Sequence, residues 1–224
     1  MNAIFGPGVG RASVQDAVAE LCEAAGVGLL VPTDIDGLCC GTPWSSKGFT
    51  DGLDVMRSKV RASVERWTRG GELPIISDAT SCTEGFLQTF KGSAEYQIVD
   101  FLEFVATRIL PELPAVKRLE SVTLHPTCSS ARLGLDEHLA RLAEAVAEVV
   151  VVPEDWGCCA FAGDRGLLHP ELSASATKSE AASVTAAGSQ AHASCNRTCE
   201  IGMTRATGAE YLHVIQLLAE RLPD

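Results

Sequence analysis

A short stretch that ends in two adjacent cysteines decides the fold, because the chain contains it twice. The first copy reads VPTDIDGLCC (residues 31–40), and the second reads VPEDWGCC (residues 152–159), two residues shorter. Each copy follows a short apolar run, which predicts a buried strand. A repeat of this kind indicates that one structural unit has been duplicated within the chain.

The sequence around the two stretches also repeats. Apolar residues at helical spacing predict an amphipathic helix before each stretch, over Val14–Ala25 and Glu137–Ala147. Residues 96–111 and 211–223 resemble each other, and both begin with tyrosine and end with proline. These two segments predict a helix at the end of each copy.

Further strands are predicted at Leu73–Asp78, at Ser121–His125 and directly before Cys195. Strands that alternate with helices predict an α/β fold, here two pseudo-symmetric repeats with mainly parallel sheets flanked by helices. Because ligands gather at the carboxyl ends of parallel strands, the cysteines that follow these strands are candidate site residues. Two prolines near residue 115 interrupt the last helix of the first copy, which predicts repeats over residues 1–115 and 116–224.

Composition and charge exclude several classes of function. The 224 residues are 46% hydrophobic and carry a net charge of -11, so the chain can form a core but offers no basic face for phosphates. It has no run of 18 apolar residues that could span a bilayer, and its first residues lack the pattern of a secretory signal. We therefore expect no nucleic-acid partner, no membrane insertion and a cytoplasmic location.

Nine cysteines need an explanation other than disulfides, since the cytoplasm is reducing. The second half contributes five of them from three loops: Cys128, Cys158, Cys159, Cys195 and Cys199. Two adjacent thiolates cannot easily occupy two corners around one zinc ion, but they can reach different irons of a cluster, which favours iron. A structural zinc module and a metal-free thiol–disulfide protein that uses a Cys158–Cys159 disulfide remain alternatives.

The cysteine pattern Cys-x(n)-Cys-Cys-x(n)-Cys-x(2 or 3)-Cys resembles the cysteine-rich CCG domain family, which normally occurs in duplicate. That family includes a subunit of heterodisulfide reductase and the iron–sulfur subunit of glycolate oxidase. The chain is most similar to the carboxyl-terminal region of FAD-linked D-lactate and 2-hydroxyacid dehydrogenases. The similarity lies in GLCCGTPWSSKG (residues 37–48), GCCAFAGDRG (residues 157–166) and PELSASAT (residues 170–177).

This resemblance implies one or two [4Fe–4S] clusters, which in heterodisulfide reductase are non-cubane and use five cysteines each. It implies a complete ligand set in the second repeat, consisting of Cys128, Cys158, Cys159, Cys195 and Cys199. In the first repeat, Cys39, Cys40 and Cys82 match three members of that set, but Asp78 takes the place of Cys195. The position that matches Cys128 falls immediately before Met1, so the resemblance implies a first repeat that is truncated at its N-terminus.

The resemblance further implies an oxidoreductase component that moves electrons. A flavin dehydrogenase domain or subunit, with FAD on an upstream domain or a partner, would oxidise a 2-hydroxy acid. The clusters would pass the electrons to a quinone or cytochrome acceptor, in the cytoplasm or at the periphery of the membrane. The fragment alone is not expected to oxidise the hydroxy acid, and a heterodisulfide-reductase-like redox module is the alternative.

Residues outside the ligand set receive simpler interpretations. Cys22 lies at a core position of a predicted helix and is expected to be a buried hydrophobe. His125 is expected either to hydrogen-bond a cluster sulfur or to pack within its loop. Lys47 and Arg165 follow the two cysteine pairs and could stabilise an anionic cluster, while Asp164 is expected to pair with Arg165 or to cap a turn.

Overall fold

The computed structural model describes residue 6 and residues 8–223, which form helices around two parallel sheets. In chain order, the elements are α1 (Val14–Ala24), α2 (Thr42–Ser46), α3 (Thr50–Trp67), β1 (Ile75–Ser77), α4 (Thr80–Thr89), β2 (Ile98–Asp100), α5 (Phe101–Phe104), β3 (Leu119–Leu124), α6 (Cys128–Leu133), α7 (Asp136–Val146), β4 (Ala147–Val151), α8 (Arg165–Leu168), α9 (Pro170–Ala176), α10 (Lys178–Ala187), β5 (Ala191–Ser194), α11 (Arg197–Thr207), β6 (Tyr211–His213) and α12 (Val214–Ala219). A π-helical turn, Val105–Ile109, continues α5, and 3₁₀ turns occupy Ile35–Gly37 and Leu110–Glu112. Within the described part of the chain, no helix is both long and apolar enough to cross a bilayer.

Both sheets are parallel. The larger sheet has the strand order β4–β3–β5–β6, and within it Val122 lies opposite both Val150 and Ala191. The smaller sheet pairs β1 with β2, with Ile76 opposite Val99. This architecture confirms the predicted α/β fold of two repeats with parallel sheets flanked by helices.

One main core joins the two repeats. The apolar face of α1 is buried, and its Leu21 and Cys22 lie in the same core as Leu139 of α7 and Ile215 of α12. Ser13 begins α1 by accepting a hydrogen bond from the backbone N–H of Asp16, which satisfies one of the free donors at the helix start. The predicted helices before each cysteine pair are therefore confirmed, and so is the interpretation of Cys22 as a buried hydrophobe.

The strand predicted before the first cysteine pair is wrong. Residues 27–32 lie outside any strand, and Leu30 and Val31 are exposed. In the second repeat the matching strand β4 pairs with β3, whereas no described residue before α1 forms a strand that could pair with residues 27–32. An apolar run needs a neighbouring strand to bond its backbone groups, and here that neighbour is lacking among the described residues.

Two strands were missed because they are only three residues long. β2 and β6 occupy the first part of segments that were predicted to be helical throughout, and a helix follows each directly. Each junction has a polar side chain that accepts a backbone N–H: Asp100 accepts from Leu102, and His213 accepts from Ile215. The strand-to-helix switch is therefore a shared feature of the two repeats.

His213 gives the fold a predictable response to acid. Burial is the main cause that lowers its pKa to about 4 from an ordinary 6.5, because the neutral ring caps α12 in a site without water. The unfolded chain then binds the proton more readily than the folded chain between these values. We expect the free energy of unfolding of the metal-free protein to be constant above pH 6.5 with respect to this group, and to fall by about 3 kcal/mol towards pH 4.

The matched variant is His213→Asn, since asparagine also caps helices but does not titrate. Urea unfolding of both proteins across pH 4–7 measures the effect. A fall of equal size in both proteins would show that His213 does not cause it.

Candidate metal centre

The cysteines and Asp78 occupy matching positions at the carboxyl ends of β1 and β5. β5 ends at Ser194, directly before Cys195, and β1 ends at Ser77, directly before Asp78. The next helices, α11 and α4, carry Cys199 and Cys82 in their first turns, each as the third helical residue. The structure therefore places the same two positions of each repeat beside the same sheet edge.

In the second repeat, three segments bring the predicted ligands to this edge. β3 leads to Cys128, which begins α6 behind a cap formed by Thr127 and Ser130. The loop after β4 carries Cys158 and Cys159, and Cys159 Sγ lies 3.2 Å from Cys199 Sγ. Cys159, Cys195 and Cys199 are buried, whereas Cys128 and Cys158 are exposed.

The protonation states of these thiols differ because their surroundings differ. A hydrogen bond from Cys199 is the main cause that lowers the pKa of Cys159 to about 5, against the effect of burial. The same bond, together with burial, raises the pKa of Cys199. Burial raises the pKa of Cys195 to about 12, although Thr127 Oγ1 lies 3.5 Å from its sulfur. One buried thiolate is thus present at neutral pH, and a bound metal would displace the protons of the other thiols.

His125 belongs to the same cluster of side chains. One of its ring nitrogens and the sulfurs of Cys159 and Cys199 all lie within 4.8 Å of one another, and all three residues are buried. Its Nδ1 atom lies 2.6 Å from Oε1 of Glu180, which is also buried. Burial alone would lower the pKa of His125, but its interactions with Cys159 and Glu180 outweigh burial and raise the pKa to about 9.

The first repeat gathers its three thiols in the same way. Cys40, Cys82 and the half-buried Cys39 pack together, and the Thr42 hydroxyl lies 3.4 Å from Cys40 Sγ. Hydrogen bonds from Cys39 and Cys82 lower the pKa of Cys40 far below its ordinary value. The same interactions raise the pKa of both donors, Cys39 and Cys82. This half of the structure therefore also presents one thiolate among neutral thiols.

The two groups of thiols adjoin each other across the repeat boundary. Lys47 Nζ, which follows the first cysteine pair, lies 2.8 Å from Asp164 Oδ2, which follows the second. Arg132 of α6 and Glu84 of α4 form a second ion pair between the repeats, at 2.5 Å. The predicted pairing of Asp164 with Arg165 is therefore wrong, because the loops of the two repeats face each other and bring Lys47 closer. Both pairs are exposed, so each stabilises the fold by about 0–1 kcal/mol.

The family profile described as "Cysteine-rich domain" (CCG) matches the chain twice, over residues 8–86 and 122–204. The chain belongs to the cysteine-rich CCG domain family. The two matches confirm that the CCG domain is duplicated, while the boundary near residue 115 stays a prediction. CCG domains are typical of redox enzyme components, and the His–Cys–Cys group is compatible with a metal or iron–sulfur redox module. No curated protein matches the chain.

The described residues of the second CCG domain fit a metal group bound by thiolates. Iron–sulfur clusters and zinc both favour sulfur ligands, and this site supplies five thiols together with a buried imidazole whose Nε2 atom makes no hydrogen bond of ordinary geometry. A buried polar atom without a partner is costly unless something binds it. Cys128, Cys158, Cys159, Cys195 and Cys199 would hold such a group; their role as ligands stays a prediction.

The residue after each cysteine pair has a positive φ, although only one is glycine. Gly41 has φ 90°, and Ala160, which replaces the glycine of the second CCG motif, has φ 54°. An L-residue in this region costs about 1–2 kcal/mol. The turn geometry that presents the cysteine pair is thus kept at Ala160 in spite of the added methyl group.

Each CCG domain places a glycine one helical turn after its last cysteine, where the helix touches the cysteine pair. A Cβ at Gly85 of α4 would lie 2.7 Å from the Cys40 carbonyl oxygen, which is too close for any real contact. A Cβ at Gly202 of α11 would lie 3.5 Å from Cys159 Cβ, an ordinary contact. The first domain therefore packs its helix more closely on its cysteine loop than the second does.

This difference predicts opposite effects for the same substitution. We expect Gly202→Ala to raise the free energy of unfolding by about 0.5–1 kcal/mol, because alanine favours the helix. We expect Gly85→Ala to lower it by about 1–2 kcal/mol, because the Cys39–Cys40 loop must move. Chemical unfolding of the metal-free variants measures both, and a loss of stability in both would contradict the difference in packing.

Sequence reasoning missed Glu180 entirely. It lies 55 residues from His125 along the chain, in the middle of a helix, and no motif connects the two. The one available signal is an acidic residue among small side chains on α10, which is ordinary for a surface helix. Only the packing of α10 against the sheet turns this carboxylate towards His125.

Proposed function

We propose that the chain is the iron–sulfur electron-transfer part of a flavin-linked 2-hydroxyacid dehydrogenase of the D-lactate type. In this proposal, Cys128, Cys158, Cys159, Cys195 and Cys199 hold a [4Fe–4S] cluster in the second repeat. Cys39, Cys40 and Cys82 form an incomplete site in the first repeat. Electrons come from FAD on another domain or subunit and leave to a quinone or cytochrome.

One observation carries the proposal: five thiols from three loops meet at one sheet edge, and one of them is already a thiolate beside its neighbour. The 3.2 Å separation of the Cys159 and Cys199 sulfurs places two ligands side by side without any change of fold. Membership of the CCG family supports redox chemistry over a purely structural role.

The distribution of exposed and buried thiols suits electron transfer. When bound, an iron–sulfur cluster accepts and releases single electrons. The buried side of the site, formed by Cys195, Cys199 and Phe161, excludes water. The exposed Cys128 and Cys158 leave one edge of the site open at the surface, where a redox partner can approach.

Electron delivery by a flavoprotein tests the proposed role. The reconstituted chain is mixed anaerobically with an FAD-linked D-lactate dehydrogenase and D-lactate, and visible bleaching and EPR report reduction of the cluster. We expect reduction only when the flavoprotein is present, followed by reoxidation on addition of a quinone or cytochrome c. Reduction by dithionite without any reduction by the flavoprotein would rule out this electron donor.

The same geometry favours one second candidate, a thiol–disulfide module. It differs from the sequence-based alternative, because Cys159 approaches Cys199 while the adjacent Cys158 is exposed. The thiolate of Cys159 could attack an external disulfide and resolve through Cys199. A count of free thiols that falls by two on mild oxidation of metal-free protein, and that does not fall in Cys199→Ala, would support this function.

A further inference from the structure

We propose that His125 is a nitrogen ligand of the metal centre in the second repeat and that Glu180 orients it for this role. The proposal rests on the proposed iron–sulfur function and changes its ligand set from sulfur alone to sulfur and nitrogen. It would make the second site chemically different from the first.

The position of His125 is fixed by the sheet. Its backbone N–H donates to the Ala193 carbonyl oxygen at 2.9 Å, and the Ser194 hydroxyl donates to the His125 carbonyl oxygen at the same distance. These bonds hold the end of β3 against the end of β5, next to Cys195. The imidazole therefore starts from a rigid backbone, which a metal ligand requires.

The contact with Glu180 determines which nitrogen is free. Nδ1 donates its hydrogen to the Glu180 carboxylate across 2.6 Å, so the lone pair of a neutral ring lies on Nε2. A ligating histidine almost always donates its other ring N–H to a carboxylate or carbonyl group, because this bond fixes the ring and increases its basicity. His125 and Glu180 already form such a pair.

The free nitrogen lies in a site that offers it no other partner. His125 is fully buried, and Nε2 makes no hydrogen bond of ordinary geometry to any described residue. Its side chain and the sulfurs of Cys159 and Cys199 converge within 4.8 Å, as ligands of one metal ion do. A packed loop histidine would be expected to satisfy both nitrogens.

A nitrogen ligand has a consequence for the redox role. Histidine in place of cysteine makes an iron–sulfur site less negative, and sites with histidine ligands have higher reduction potentials. The second-repeat centre would thus accept electrons more readily than a centre with thiolates alone.

Nitrogen hyperfine spectroscopy tests the ligand directly. Protein labelled with ¹⁵N-histidine is reconstituted anaerobically with iron and sulfide, reduced and measured by pulsed EPR. We expect the strong coupling of a directly bonded nitrogen in the wild-type protein and in the control variant His192→Gln, where a half-buried histidine on β5 is changed. The coupling should disappear in His125→Gln. Only weak nitrogen coupling, or equal coupling in His125→Gln, would overturn the proposal.

Binding of Co²⁺ to the metal-free chain separates this proposal from the iron–sulfur function. If no cluster assembles, the proposed function fails, but Co²⁺ still reports its ligands through its visible bands. We expect a spectrum that differs between the wild-type protein and His125→Gln at equal stoichiometry, and Glu180→Gln should bind Co²⁺ more weakly. Identical spectra and affinities in all three proteins would show that His125 is not a ligand.

Discussion

Replacing Cys199 with alanine is expected to abolish the metal centre of the second repeat. Its buried thiol hydrogen-bonds Cys159, and without it the Cys159 thiolate loses both its partner and the adjacent ligand. After anaerobic reconstitution we expect iron to fall from about four atoms per chain to less than one. Iron and acid-labile sulfide are measured on the gel-filtered protein.

Cys22→Ala is the matched control. Cys22 is equally buried, but it lies in the main core on α1, away from the thiols of the second repeat. It should keep the full iron content and lose only some stability. Full iron and sulfide in Cys199→Ala would remove Cys199 from the ligand set, and loss of iron in both variants would show that the effect is a general failure to fold.

Replacing Asp78 with cysteine is expected to give the first repeat a working site. Asp78 follows β1 as Cys195 follows β5, and its charge acts on the Cys82 thiol. With Cys39, Cys40 and Cys82, the new thiol completes a set of four, the number that an ordinary [4Fe–4S] cluster uses. We expect iron to rise from about four to about eight atoms per chain.

Asp78→Ser separates the added thiol from the lost carboxylate. Both variants lose the same weak contact, in which Gln15 donates to Asp78 across 3.5 Å. Only the cysteine variant should gain iron, and its EPR spectrum should show a second signal. Equal iron in the two variants would mean that the first repeat lacks a cluster for a reason other than the number of its thiols.

The repeat in the sequence explains why so much of the fold could be predicted. Helices α1 and α7 and strands β1, β3 and β5 show clear apolar periodicity, and alignment of the two repeats matches Asp78 to Cys195, as the structure does. The prediction failed at residues 27–32, where local hydrophobicity favours a strand but pairing decides whether one forms. It also missed β2 and β6, because three residues are too few to show a period.

The site divides in the same way. Cysteine spacing alone pointed to the thiols that the structure brings together, since cysteines in the loops after parallel strands meet at one edge. The contribution of His125 and the whole role of Glu180 depend on side-chain packing across the sheet, which no spacing in the sequence contains. The ion pair between Lys47 and Asp164 was missed because it depends on how the two repeats face each other.

Anaerobic reconstitution of the unchanged chain with iron and sulfide, followed by metal and sulfide analysis and EPR, tests the iron–sulfur assignment most directly. We expect about four irons and four sulfides per chain and an EPR signal on reduction, in agreement with one complete cysteine set. Zinc bound without sulfide, or no metal at all, would contradict an electron-transfer role for this protein.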